Sequence, residues 1–281
     1  MSLGGDHQNI ADAICAIEGY KLAEEIGEGS FKHSFKVISP GGDEYCLKLS
    51  KGNLSQARSD REIEAIRRCD HPGIAKLLSV GQFARASGDQ LLYSVEEFVA
   101  GGSLEDHLKS GPISSDEART IGRALAEALS ETASLNLVHR DIKPANIMLR
   151  EDGFPVLVDF GLVRVLDDSS VTPTWLGQGP GTPWFAAPEQ LNNEKELIDW
   201  RADQFGLGAT IAMSTLQLHP YAMAAGENPP AVIQRVVDRI GPSSALEQEA
   251  KSAGLEILVQ MTQPWPVQRL RTPDLLVAGW N

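Results

Sequence analysis

Apolar and polar positions in the first third of the chain alternate with a period near two and are punctuated by glycine, the pattern of short strands. Leu22 to Ile26, Phe35 to Ile38 and Glu44 to Leu49 are three such runs, with Gly41-Gly42 as a turn, and they predict an antiparallel meander. On the third run the alternation sets Cys46 and Lys48 on one face and Tyr45, Leu47 and Leu49 on the other, core-like face. Ser55 to Cys69 contains no glycine or proline and places Ala57, Ile63 and Ile66 at helical intervals before His71-Pro72-Gly73 ends the pattern. One helix therefore interrupts the sheet, and Ile74 to Val80 and Leu91 to Val99 follow as further strands.

Beyond Gly101-Gly102 the period lengthens. Ser103 reads as the N-cap of a helix over Leu104 to Lys109, and Ser115 to Leu135, Asp203 to Leu218 and Pro230 to Ile240 are helical stretches. A β-rich first third with one helix, joined to a larger helical remainder, is an α+β chain of two lobes. The expected lobes are 1–99, with 1–19 as leader or extension, and 100–281. No internal repeat or low-complexity tract is visible.

Composition narrows the function classes. The chain has 281 residues, is 42% hydrophobic, and carries 38 acidic against 25 basic residues for a formal charge of −13. That balance argues against nucleic acid as a partner and favours basic peptides. Cys15, Cys46 and Cys69 are far apart and form no C-x-x-C pair, against a zinc site or a disulfide framework and for a reducing, cytoplasmic setting. No run approaches the ~20 apolar residues of a membrane span, although a tether outside this chain stays compatible.

Gly27-Glu28-Gly29-Ser30-Phe31 lies between two expected strands, where glycines let backbone N–H groups approach phosphate oxygens. Alone it reads better as a plain turn. Lys48 stands about twenty residues further on, and the following helix offers Glu62 and Glu64 as carboxylate partners. At ~100° per residue Glu62 lies about 40° from the apolar Ile66, while Glu64 points away to solvent, so Glu62 is the expected partner.

His139-Arg140-Asp141-Ile142-Lys143-Pro144-Ala145-Asn146, followed after an apolar strand by Asp159-Phe160-Gly161, resembles the catalytic loop and metal-binding turn of the Hanks-type protein serine/threonine kinases. The segment through Gly181-Thr182-Pro183 to Ala187-Pro188-Glu189 resembles their activation segment, and the likeness extends over about Tyr20 to Leu276. It implies a bilobal protein-kinase-like fold, with a small β-rich N-lobe carrying one key helix and a larger, mainly helical C-lobe. The implied reaction moves the γ-phosphoryl group of ATP onto protein Ser/Thr hydroxyls with Mg²⁺, or Mn²⁺ in its place.

By the same resemblance Asp141 accepts the hydroxyl proton, Lys143 stabilises the transferring phosphoryl group, and Thr182 contacts both; Asn146 and Asp159 hold the metal. Nucleotide contacts fall to Ile26, Gly27, Gly29, Ser34, Cys46, Lys48, Glu62, Glu97, Val99 and Met148. Two structural roles are implied: Glu189 pairs, buried, with Arg269, and Asp203 braces the catalytic loop. Arg140 implies a phosphate on the activation loop, with autophosphorylation expected within Ser169 to Thr174 and Thr172 favoured over Ser170 and Thr174.

Four positions depart from the family pattern. Lys32 replaces a third glycine, Ser34 a valine and Cys46 an alanine, the last two costing about 1 kcal/mol of apolar contact with an adenine ring. Glu96 occupies a normally apolar or Thr position beside the hinge residues Glu97 and Val99. A carboxylate buried there needs a partner, and the expectation is that Glu96 competes with Glu62 for Lys48 and holds a less active state. Two rival readings remain: a pseudokinase scaffold, suggested by Lys32 and Glu96, and a small-molecule phosphotransferase, opposed by Lys143 and the activation segment.

Overall fold

The computed structural model describes residues 4–28, 32–53, 60–85, 88, 90–160 and 183–281. These fall into two compact units. One holds the described residues up to Arg68 together with Ala75–Phe98; the other holds Cys69–Ile74 and the described residues from Val99 onward.

The first unit is a five-stranded antiparallel sheet with helices. Helix α1 (Gly4–Glu18) leads into β1 (Lys21–Glu28), β2 (Lys32–Ile38) and β3 (Glu44–Asn53), then α2 (Asp60–Arg68), β4 (Leu77–Ala84) and β5 (Gln90–Glu97). Strand order is β1-β2-β3-β5-β4. Because cross-strand partners share a face, the pairs Phe35↔Leu47, Leu47↔Val95 and Leu49↔Tyr93 assemble one apolar side. Ile10, Ala11, Ile14 and Cys15 of α1 pack into that side, with Phe35, Leu47, Leu49 and Val95 each 1% exposed or less. The Tyr93 hydroxyl donates to Glu18 at the end of the helix, and the His7 and His33 rings stack 3.9 Å apart.

The second unit is helical around one hairpin. Its elements are α3 (Leu104–His107), α4 (Ser115–Ser134), β6 (Ile147–Leu149), β7 (Pro155–Leu157), α5 (Pro188–Leu191), α6 (Trp200–Leu216), α7 (Pro229–Val237), α8 (Ser244–Ala253), α9 (Ile257–Met261) and α10 (Pro273–Ala278). Ser114 and Glu117 close a reciprocal capping box on α4, which is why that helix begins where it does. Helix α6 is buried nearly all round, from Ala202 to Ala212, and packs against α4 as the centre of the unit. Gly122 on α4 lets the Trp280 ring lie against the helix: a Cβ there would sit 2.5 Å from it.

The expected elements recur with shifted bounds, and α1, α5, α8, α9, α10 and β6 were not foreseen. The strand expected over Ile74 to Val80 runs Leu77–Ala84, while Ile74 instead bridges to Leu157 in the second unit. Helix α1 occupies residues that sequence reading set aside as leader or extension.

Candidate active site

Residues 139–146 form the turn entering β6, and several of its backbone groups have fixed partners. Asp203, 1% exposed on α6, accepts from the N–H groups of both His139 and Arg140 at 2.7 Å. The Gln190 amide donates to the Arg140 carbonyl at 2.9 Å, and Thr210 donates its hydroxyl to the Ile142 carbonyl at 3.3 Å. These bonds hold Arg140 at φ +68°, a left-handed conformation that costs a non-glycine residue about 1–2 kcal/mol. Burial pushes the Asp203 carboxyl up to about 7, against the two N–H donors and the Arg140 charge that favour its ionised form.

The loop delivers three side chains to one point. Lys143 Nζ lies 3.1 Å and Asn146 Nδ2 3.0 Å from the same Asp141 oxygen, Oδ2, and the Asn146 amide also donates to the Asp141 carbonyl at 2.8 Å. His139 supports them from beneath. Its Nδ1 accepts from the Asp141 N–H at 3.3 Å, so Nε2 carries the proton donated to the Val158 carbonyl at 2.8 Å. The next residue, Asp159, is held at φ +66°, and Phe160 packs edge-on against His139 with ring centroids 4.7 Å apart.

Behind the loop, Arg269 and Glu189 form a bidentate pair at 2.6 and 2.8 Å with both side chains fully buried. Arg269 also donates to the carbonyls of Gln263 and Arg201, so the charge is satisfied beyond its carboxylate. His219 donates from Nε2 to the Trp184 carbonyl at 2.9 Å while its Nδ1 accepts from the Tyr221 N–H. Burial pushes the His219 imidazole down to about 4, so it stays neutral.

In the first unit, the face of the sheet opposite α1 is polar. The register Ser34↔Lys48, Lys48↔Ser94 and Cys46↔Glu96 places all five residues on that face. Lys48 Nζ contacts Glu96 Oε2 at 2.6 Å, and the Ser94 hydroxyl donates to Glu96 Oε1 at 2.9 Å. Lys48 and Glu96 are each only 6% exposed. Of the two carboxylates expected to contend for Lys48, Glu96 is thus in contact, and the Glu62 side chain lies outside the described residues.

The remaining expected positions are dispersed. Ile26 and Gly27 lie on β1, Ile26 being half-exposed; Glu97 ends β5 and accepts from the Lys76 N–H at 3.3 Å. Val99 is buried and Met148 lies on β6, opposite Val156. Gly29, Gly161, Thr182 and the stretch from Ser169 to Thr174 lie outside the described residues. Sequence reading missed Gln190 and Thr210, whose bonds to the Arg140 and Ile142 carbonyls join positions far apart in the chain and leave no spacing signal, and Ser94, which bonds Glu96 two residues on.

Among the described residues no group of three His, Cys, Asp or Glu side chains would hold a metal by itself. Asn146 and Asp159 offer an amide oxygen and a carboxylate. That donor set fits Mg²⁺, which takes one or two protein oxygens and completes its shell with phosphate and water.

Residues 20–280 match the protein kinase domain family. A probable serine/threonine-protein kinase PknB of Bifidobacterium longum is 29% identical over 81% of this chain and 34% of its own length. The serine/threonine-protein kinase PknJ of Mycobacterium tuberculosis is 30% identical over 82% of this chain and 41% of its own. The serine/threonine-protein kinase cds1 of Schizosaccharomyces pombe is 27% identical over 92% and 55%. The chain spans between about a third and just over half of the length of these relatives. With the match running through both units and the Asp141 loop braced as described, the chain belongs to the protein kinase domain family.

Proposed function

We propose that the chain is the catalytic domain of an ATP-dependent protein serine/threonine kinase. The observation that carries this reading is the convergence of Lys143 and Asn146 on Asp141, on a loop whose backbone is pinned by Asp203. In the reaction, a substrate hydroxyl gives its proton to the Asp141 carboxylate as its oxygen bonds to the γ-phosphorus. The bond from that phosphorus to the β,γ-bridging oxygen breaks and ADP leaves. Lys143 stabilises the charge on the transferring group, and Asn146 keeps the Asp141 carboxylate oriented toward the hydroxyl. Mg²⁺, or Mn²⁺, held by Asn146 and Asp159 would neutralise phosphate charge.

Nucleotide binding is assigned to the polar face of the first unit through Lys48, Ser34 and Cys46, with Ile26, Gly27, Gly29, Glu62, Glu97, Val99 and Met148 as further contacts. Thr182 is assigned to the catalytic group. The formal charge of −13 supports basic protein substrates. No described helix is long and apolar enough to cross a membrane, and a cytoplasmic setting is part of the proposal.

Incubation with γ-labelled ATP, Mg²⁺ and a basic protein, followed by phosphoamino-acid analysis, tests the reading. Label on serine or threonine is expected, including label within Ser169 to Thr174 of the chain itself. Label on a sugar, choline or antibiotic but never on protein would make the chain a small-molecule phosphotransferase, and no transfer under any condition would make it a scaffold.

A further inference from the structure

We infer that Glu96 is a positioning residue that acts through Lys48, a built-in counter-ion with which the phosphates of ATP compete for the lysine ammonium. The inference rests on the proposed role of Lys48 as the phosphate-gripping lysine.

Three features of the first unit support it. Lys48 and Glu96 lie on neighbouring strands, β3 and β5, and the register that pairs Cys46 with Glu96 and Lys48 with Ser94 brings the two side chains together diagonally on one face. Both carboxylate oxygens are engaged, Oε2 by Lys48 at 2.6 Å and Oε1 by Ser94 at 2.9 Å, so the carboxylate is fixed in its rotamer. Lys48 and Glu96 are almost wholly withdrawn from water, where the attraction between opposite charges is screened least.

A lysine ammonium is a point charge with three donors, so an adjoining carboxylate does not block it sterically but lowers the net charge it presents. The consequence depends on the ligand's charge. A ligand that brings phosphates meets a partly neutralised lysine, whereas a ligand without phosphates is indifferent to Glu96. The same pair gives the buried ammonium a carboxylate counter-charge on the polar face, where burying a charge is costly. Glu96 thereby sets the ATP concentration at which the domain loads, and its effect falls on KM for ATP rather than on kcat.

The test is titration of the folded chain with adenosine, ADP and ATP in magnesium buffer, for wild type, Glu96→Gln, Glu96→Met and Lys48→Met, with melting temperatures recorded alongside. Glu96→Gln keeps the shape and an acceptor while removing the charge. It is expected to tighten ATP about tenfold, ~1.4 kcal/mol, to tighten ADP less, and to leave adenosine where it was. Glu96→Met, which fills the same space with apolar atoms, should move the three ligands in the same order. An equal shift for all three ligands, or none, in a folded Glu96 variant overturns the inference. Lys48→Met should erase most of the preference for ATP over adenosine. If that preference survives, the assignment of Lys48 itself is wrong and the inference falls with it. If it is lost while the Glu96 variants stay inert, only the inference falls.

Discussion

In the second unit the deeply buried charges, Asp203, Glu189 and Arg269, are bonded to backbone groups or to one another, and none is assigned a chemical step. In the first unit one buried charge is Lys48, which the proposed nucleotide site needs, and it contacts a carboxylate, equally buried, on the next strand. One unit therefore uses burial to make a loop rigid before substrate arrives. The other uses burial to hold a ligand-binding group in an ion pair. Rigidity suits the Asp141 loop because positioning is most of what phosphoryl transfer asks of a protein. A pre-engaged lysine suits a site whose occupancy is to follow ATP concentration.

The comparison can be broken at several points. The largest effect is expected from Asp141→Asn, which keeps the shape of the loop but removes the proton acceptor. Phosphoryl transfer should fall about 10³-fold. Next comes Arg269→Ala, which strands a fully buried Glu189 carboxylate and should cost about 3–5 kcal/mol in chemical denaturation. Ile14→Ala opens a cavity between α1 and the sheet and should cost about 2–4 kcal/mol, which tests whether α1 is part of the folded unit.

How much of this was legible in the sequence depended on whether a feature was contiguous. The Asp141 loop is eight consecutive residues, so its chemistry could be read directly. The Lys48–Glu96 pair was legible because strand alternation sets the face of Lys48, while the family resemblance places Glu96 where a buried carboxylate needs a partner. Helix α1 was passed over although Ile10, Ala11, Ile14 and Cys15 already carry helical spacing, since a stretch preceding the recognisable motifs invites being set aside. Strand β4 was misplaced because Gly81 looks like a terminator. In the sheet it faces Tyr93, where a Cβ would sit 2.3 Å from the ring, so glycine is what permits the strand to continue. Helices α8 and α10 follow Ser243 and Thr272, whose side chains cap them, and α10, at six residues, is too short to show a helical period.

A smaller effect separates the structural histidine from its surroundings. With His219 near 4 in the folded chain and about 6.5 unfolded, the unfolded chain takes up a proton in that window that the folded chain refuses. Its contribution to stability is therefore full above about pH 6.5 and is lost as pH falls toward 4. Asp203, raised to about 7, acts in the opposite sense, gaining stability as pH falls, but does so equally in wild type and variant. Denaturation at pH 7 and pH 5 should thus show wild type losing about 2 kcal/mol more than His219→Gln between the two.

The division of labour between the units is tested most directly by measuring ATP affinity and the transfer rate at saturating ATP separately, in Asp141→Asn and Glu96→Gln. Asp141→Asn should lose rate about 10³-fold with ATP affinity within about threefold of wild type, and Glu96→Gln should move mainly affinity, about tenfold tighter. The account is contradicted if Asp141→Asn loses ATP as heavily as it loses rate, or if Glu96→Gln collapses the rate while ATP affinity stays where it was.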